Sequence, residues 1–316
     1  MEYLTAFEYT LGVTSPVFVI VFLGYLLKKR GQINSEFVNV ASGLVFNICL
    51  PILIFIAMLQ NQVDLSLQIP LALYCLFAAA FCFILFWWGS AYHVAPADRG
   101  VVVQGAFRSN LGIIGLALCG KAFGQEGLVV GAVILAVVVP IFNVLSVYAL
   151  NRSLATKQSF SLLKTVKDVI KNPLIIAILL GVAFTQAGIG LPKVMYDAGA
   201  YLAAMTLPLA LICIGGTLSL RELTFNSRLS SMAVFAKLIV VPLIAVLPAY
   251  YLGFSSIELG CILLMFASPT ATASFVMVRS LGGNYALASN IIVLSTLLSV
   301  ISISALLYGA KLMYWI

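Results

Sequence analysis

Leu264-Met-Phe-Ala-Ser-Pro-Thr-Ala-Thr-Ala-Ser274 is an apolar run interrupted by one proline and four hydroxyl side chains. A proline inside a helix removes one backbone hydrogen bond and crowds the carbonyl one turn back. In hydrocarbon an unpaired backbone group is costly, so such a break persists only where protein or a wet cavity surrounds it. Ser268, Thr270, Thr272 and Ser274 either re-satisfy the freed backbone or face a solute. Pro269 alone leaves a kinked helix with packing hydroxyls as an equal reading.

A matching stretch about half a chain earlier tips the balance. A shift of 158 residues lays Pro269 on Leu111, within Gly105-Ala-Phe-Arg-Ser-Asn-Leu-Gly-Ile-Ile-Gly115. Three glycines and Asn110 weaken this helix where Pro269 weakens its counterpart. The match extends outward. A shift of 157 pairs Pro16 with Pro173, Gly24 with Gly181, Gly31 with Gly188, Ala41 with Ala198, and Leu50-Pro51 with Leu207-Pro208. At 158, Phe123-Gly124 falls on Leu281-Gly282 and Lys121 on Arg279.

The composition sets the class. Hydrophobic residues make up 63% of the 316 and charged residues 9%, against about 25% charged in a soluble domain. This is an all-α polytopic membrane protein, with the lipid bilayer as its surroundings. The acidic start, residues 1–8, has no basic region before the first apolar run, which argues against a cleaved signal peptide. Six cysteines fall singly inside apolar segments, and His93 is the one histidine. No metal site or other cofactor is expected.

Ten spans of about 20 residues are predicted at 9–27, 36–59, 69–90, 99–120, 127–150, 173–189, 195–219, 229–251, 257–278 and 285–310. With both termini outside, the inner loops hold twelve basic residues: Lys28, Lys29, Arg30, Arg99, Arg152, Lys157, Lys164, Lys167, Lys171, Arg221, Arg228 and Arg279. The outer side keeps three, Lys121, Lys193 and Lys311. That bias sets the orientation, and it accounts for the net charge of +7 without any nucleic acid partner. The connector 151–172 places Leu162, Leu163, Val166 and Ile170 on one helical face, opposite Lys164, Lys167 and Lys171, as in a helix lying on the cytoplasmic membrane surface. Five spans per half is an odd number, so the second copy is inverted; such repeats build transporters with a site where their broken helices meet.

Arg108 is the sharpest candidate at that site. A charge at the centre of a span costs about 2.5–3.5 kcal/mol or more. It pairs with a substrate carboxylate or ties down loosened carbonyls. Asn110, Gly112, Ser268, Pro269 and Thr270 join it at the two breaks, with backbone capping as the plainer role for Asn110 and Ser268. Thr272 and Ser274 are coupling-ion candidates, although hydroxyls are common packing groups between membrane helices. Asn290 aligns with Ala132, so the repeat does not explain it, and Asn47 precedes the kink pair Pro51 and Pro208. Asp197, near the outer end of the seventh span, reads as an interfacial carboxylate and is the only acid even partly in the membrane. Lys237, about two turns into the eighth span, can snorkel to the interface, with a functional role as the alternative.

Several stretches together resemble the auxin efflux carrier family. They are residues 16–31 (Pro-Val-Phe…Leu-Gly-Tyr-Leu-Leu-Lys-Lys-Arg-Gly), Leu44-Val-Phe-Asn-Ile-Cys-Leu-Pro51, Arg108-Ser-Asn-Leu-Gly112, and Ala267-Ser-Pro269 leading to Asn290 and Leu294-Ser-Thr296. The family includes PIN-type auxin exporters and bacterial permeases for malate or malonate, and the short connector is more like the bacterial members. The resemblance implies a fold like that of bile-acid sodium symporters with crossed broken helices 4 and 9. It implies scaffold helices at 1–67 and 173–227 and moving transport-domain helices at 68–150 and 228–316, with the cytoplasmic amphipathic connector 151–172 between the halves. It also implies elevator-type alternating access and a homodimer. The chain departs from the family pattern in having Leu111, not proline, at the first break.

The expected function is a secondary transporter of a small organic anion, a carboxylate or dicarboxylate, in the bacterial cytoplasmic (inner) membrane, with possible H+ or Na+ coupling. Carriage of auxin-like aromatic or amino-acid-like substrates, or sensing on the same scaffold, are the alternatives. An enzyme is not expected, because no base stands near the membrane serines. An ATP-driven pump is disfavoured by the absence of a glycine-lysine phosphate loop.

Overall fold

The computed structural model describes residues 2–61, 65–154, 171–218 and 228–316. Among these the chain is helical, and its one strand-like feature is an isolated bridge, Ser109 to Thr270. The helices are α1 (Glu2–Lys29), α2 (Ser35–Leu44), α3 (Leu50–Asn61), α4 (Leu65–Ser90), α5 (Pro96–Phe107), α6 (Leu116–Leu154), α7 (Pro173–Gln186), α8 (Lys193–Thr217), α9 (Arg228–Phe235), α10 (Val241–Tyr251), α11 (Ser256–Ala267), α12 (Ala273–Ser280) and α13 (Tyr285–Leu312). Wide π turns at Val45–Cys49, Leu111–Gly115 and Ala236–Val240 join α2 to α3, lead into α6, and join α9 to α10.

Among the described residues, seven stretches are long and apolar enough to cross a membrane: Tyr3–Lys29, Ser35–Gln60, Gln68–Ser90, Leu111–Leu154, Lys193–Thr217, Arg228–Tyr251 and Tyr285–Leu312. The remaining expected spans appear as shorter pieces. α7 has 14 residues, the fourth span is divided at 108–110, and the ninth is divided at 268–272. α6 also contains a kink at Gly124 (φ 60°, ψ −140°), near the expected junction of the fourth and fifth spans. The connector reading at 155–170, with Leu162, Leu163, Val166 and Ile170, lies outside the described residues, as does Arg221.

Local chemistry sets the helix ends. Asn34 accepts from the Phe37 amide at 2.7 Å to start α2, and Asn172 accepts from Leu174 N at 2.9 Å ahead of Pro173, the first residue of α7. Ser255 and Glu258 form a reciprocal capping box before α11. Two of the three glycine pairs in the repeat share a positive φ. Gly31 and Gly188 have φ 72° and 65°, and Gly124 and Gly282 have φ 60° and 73°. A side chain is strained in that region, which is why glycine stands at both members of these two pairs.

The packing exchanges the members of the repeat pairs. α1 runs along α8, and α7 runs along α3. At the first contact a methyl on Gly215 would sit 1.9 Å from the Val21 carbonyl oxygen, and one on Gly24 would sit 2.2 Å from that of Ile212. At the second, a methyl on Gly181 would meet Met58 Cβ at 2.6 Å. Small residues let membrane helices touch backbone to backbone, where hydrophobicity supplies no drive between them. The outer walls of α1, α4, α7 and α8 expose Val19, Phe77, Leu179 and Tyr201, which is stable only against lipid. The inner layer is α5, α6, α10, α11 and α13, and both broken segments are enclosed in it: residues 100–110 and 259–271 are buried throughout.

Candidate functional site

The two breaks meet. The Asn110 amide donates to the Pro269 carbonyl at 2.8 Å, and the Ala271 amide donates to the Arg108 carbonyl at 3.1 Å. Each segment therefore satisfies a backbone group that the other's interruption exposes, as burial away from water demands. The side chains complete this exchange. Pro269 has no N–H for the Met265 carbonyl one turn back, and the Ser268 hydroxyl donates to that oxygen at 2.7 Å. The Gly105 carbonyl, left free where α5 ends, accepts from the Thr270 hydroxyl at 2.7 Å. The Thr270 amide in turn donates to Ser295 Oγ at 3.2 Å, fastening the crossing to α13.

The glycines of the first break are unequal. Added methyls on Gly105 and Gly115 would lie 2.8 Å from Ile291 Cγ2 and 2.6 Å from Met265 Sδ, so both positions are closed to larger residues. At Gly112 the nearest atom, Leu135 Cδ1, is 3.5 Å away, an ordinary contact.

Arg108 is 6% exposed. Its Nη2 donates to Asn143 Oδ1 at 2.7 Å and its Nη1 to Met277 Sδ at 2.6 Å. Gln104, one turn earlier, places Nε2 3.6 Å from the same sulfur. A guanidinium carries five N–H donors, and its partners here are neutral. Three acceptors on these same helix faces, Gln104 Oε1, Ser146 Oγ and Ser274 Oγ, are buried with no partner among the described residues.

Lys237 stands at the crossing, which decides between the two readings its sequence position allows. It does not snorkel. It is 0% exposed, and its ammonium donates to the Phe266 carbonyl at 2.8 Å and to the Ser109 hydroxyl. The π turn Ala236–Val240 carries this side chain toward the crossing and away from the interface. The signal available in sequence was a lysine inside a span, which a snorkelling stem explains equally well.

The other candidates separate. Asn110 borders the break, nearly buried, and its side chain caps no helix. Asn290, also buried, braces α13 to α9 through a 2.9 Å bond from its side-chain amide to Ser230 Oγ. Asn47 is exposed in the π turn after α2 and donates to the Gly43 carbonyl of its own helix. Asp197 is exposed in the first turns of α8. It lies about 30 Å along that helix from Thr217, at 1.5 Å per residue.

Thr217 matters because it lines a cleft of 960 Å³ between α1, α2 and α8 on one side and α12 and α13 on the other. Thr272, Ala273 and Phe275, at the start of α12, form part of its wall, and Lys28 and Lys29 lie at the end of α1 beside Ser35 and Asn39. The cleft thus connects the basic end of α1 to the segment that leaves the second break. Its lining includes Ser42, Ser289, Ile292 and Val293, residue types that carry no signal in the sequence.

Comparison with known proteins places this geometry. A family model described as "Membrane transport protein" matches residues 13–307. An "Uncharacterized transporter" of Methanothermobacter thermautotrophicus is 25% identical over 289 residues, covering 91% of this chain and 94% of its own. The "Uncharacterized transporter YfdV" of Escherichia coli K12 is 25% identical over 274 residues, covering 84% and 87%. A Rhizobium meliloti protein described as "Putative malonate transporter" is 27% identical over 307 residues, covering 94% of each chain. The chain is a member of this membrane transport protein family, the auxin efflux carrier family, and so belongs among transporters and not among enzymes.

Proposed function

We propose that this protein is a secondary transporter of a small organic anion, a carboxylate or dicarboxylate, bound at the crossing of the two broken segments. The observation that carries the reading is a pair of buried cations beside one backbone break. Arg108 and Lys237 are both matched to neutral groups and to no carboxylate among the described residues. An isolated buried charge is expensive, and an arriving anion offsets that cost for Arg108 while Lys237 adds positive potential at the crossing. Asn110 and the start of α12 supply hydrogen bonds to it, Ser268, Pro269 and Thr270 shape the break, and Lys28 and Lys29 raise the anion concentration at the mouth of the cleft. The name of the Rhizobium relative points to the same class of solute.

The architecture goes with this reading. Ten helices form two inverted five-helix repeats, with 1–67 and 173–227 as a scaffold and 68–150 and 228–316 as the moving domain of an elevator. The exchanged pairing of α1 with α8 and α7 with α3, and the matched left-handed glycines, support that arrangement. The cleft lies at the boundary between the two parts. Both termini lie outside a bacterial inner membrane, and the protein works as a homodimer. An inside-negative potential favours export of the anion by about 2.3 kcal/mol per charge per 100 mV, so import requires coupled H+ or Na+. Thr272 and Ser274 stand nearer to that role than Asp197, which is exposed far from the cleft. An aromatic carboxylate is the second reading, favoured by Tyr25, Phe275 and Ile292 in the cleft wall.

Counterflow in proteoliposomes loaded with malate tests the proposal, with labelled malate, malonate, indole-acetate and neutral amino acids offered outside. The expected result is uptake of one carboxylate that disappears in Arg108→Ala protein with an unchanged melting temperature. Exchange of neutral amino acids with no carboxylate exchanged overturns it.

A further inference from the structure

Lys237 presents chemistry that an anion site alone does not require. The two oxygens its ammonium touches, the Phe266 carbonyl and the Ser109 hydroxyl, come one from each broken segment. The Phe266 carbonyl is free because the helix stops at Ala267, and it also accepts from the Ser109 hydroxyl at 3.3 Å. A freed carbonyl beside a hydroxyl at a broken helix is the kind of oxygen set that coordinates Na+ in transporters. Here a side chain already fills it.

Among the described residues, the surroundings hold no counter-charge. Packed against the turn that carries Lys237 are α5, α9, α10, α11 and α13. Their described charged residues sit at the helix ends. Asp98 accepts from Asn284 and Arg99 binds Ser90 at the start of α5, Arg228 opens α9, Glu258 is locked in the cap of α11, and Lys311 closes α13. Arg108, the nearest cation in sequence to Ser109, directs its guanidinium away to Asn143 and Met277. On α4 the ionisable neighbour is Cys82.

We propose that Lys237 is a built-in cation for the crossing, occupying by a covalent tether the oxygen site that would otherwise bind Na+, so that transport proceeds without Na+. This rests on the transporter reading above but makes a separate claim about ion use. It also accounts for the π turn at Ala236–Val240. An extra residue in the turn re-aims a side chain that would otherwise follow the regular helix face.

The test has two readouts. The first is thermal stability of purified protein, with Na+ exchanged for choline at constant ionic strength. Wild type melts at the same temperature in both. Lys237→Ala melts lower and recovers, saturably, on addition of ethylammonium or Na+, because a ligand that binds only the folded state raises its stability. The second is exchange in proteoliposomes. Lys237→Met keeps the length of the side chain without its charge and is expected to lower exchange roughly 10- to 100-fold, the equivalent of losing charge-assisted hydrogen bonds. Na+-dependent melting or exchange in wild type, or a Lys237→Met protein that exchanges like wild type, overturns the proposal. If wild type exchanges no candidate anion, the functional reading fails, while the melting comparison still decides the role of Lys237.

Discussion

The break at 268–272 and the break at 108–110 occupy matching places in the two halves, yet they are held open by different means. In the second, the covalent structure does it. Pro269 has no amide proton, and Ser268 takes up the carbonyl that this leaves over. In the first, no residue forbids a helix. The Asn110 amide could return to its own helix, but it is drawn across to the Pro269 carbonyl, and Gly105 is capped by Thr270. One interruption is intrinsic and the other is imposed by its neighbour. The imposed one carries Arg108. The charge thus sits on the segment whose geometry depends on assembly, and the rigid segment supplies the shape.

This division is open to attack from either side. The largest effect is expected at Arg108. Arg108→Met should lower anion exchange about 100-fold or more, the scale of losing a buried charged hydrogen-bonding group, with little change in melting temperature. A large fall in melting temperature would make the arginine a structural tie. Pro269→Ala should come next. It restores an amide that competes for the Met265 carbonyl, and exchange is expected to fall about tenfold as the second segment regains helix. Amide exchange at Asn110 should rise with it, measurable by mass spectrometry. Thr270→Val leaves the Gly105 carbonyl without its partner and should cost about 1–3 kcal/mol in stability, read as a lower melting temperature. Leu111→Pro should be the mildest. Leu111 is the first residue of its turn, where proline is tolerated, and a shift within about 2 kcal/mol is expected from the altered packing alone. If Leu111→Pro is instead as harmful as Pro269→Ala, the two breaks are not made differently.

What could be read in the sequence was whatever is chemically rare in a membrane. Pro269 and Arg108 stand out because a missing amide and a buried charge are costly in hydrocarbon. Gly31 with Gly188, and Gly124 with Gly282, stand out because they recur at a fixed spacing. Lys237 stayed between two readings because the length of its side chain permits either interface or interior, and only the direction set by the π turn decides. Asn290 was a candidate by polarity, but its bond to Ser230 depends on how α9 meets α13, which no local pattern encodes. The cleft was invisible for a similar reason. Ser42, Thr217 and Ser289 are common residue types from three helices, and their convergence belongs to tertiary structure.

The bridge between Ser109 and Thr270 also constrains how the protein is made. The two segments it joins are far apart in the chain: beside the bridge, the Ser109 hydroxyl reaches the Phe266 carbonyl, 157 residues on. At about 5–20 residues per second, the first segment waits roughly 8–30 s in or beside the insertion machinery before the second is synthesised. During that interval the region 105–110 has no Pro269 carbonyl to draw its amides across and no Thr270 to cap Gly105. A continuous helix is the natural form for it while it waits. The first break is thus completed late, because the groups that hold it open lie in the last third of the chain.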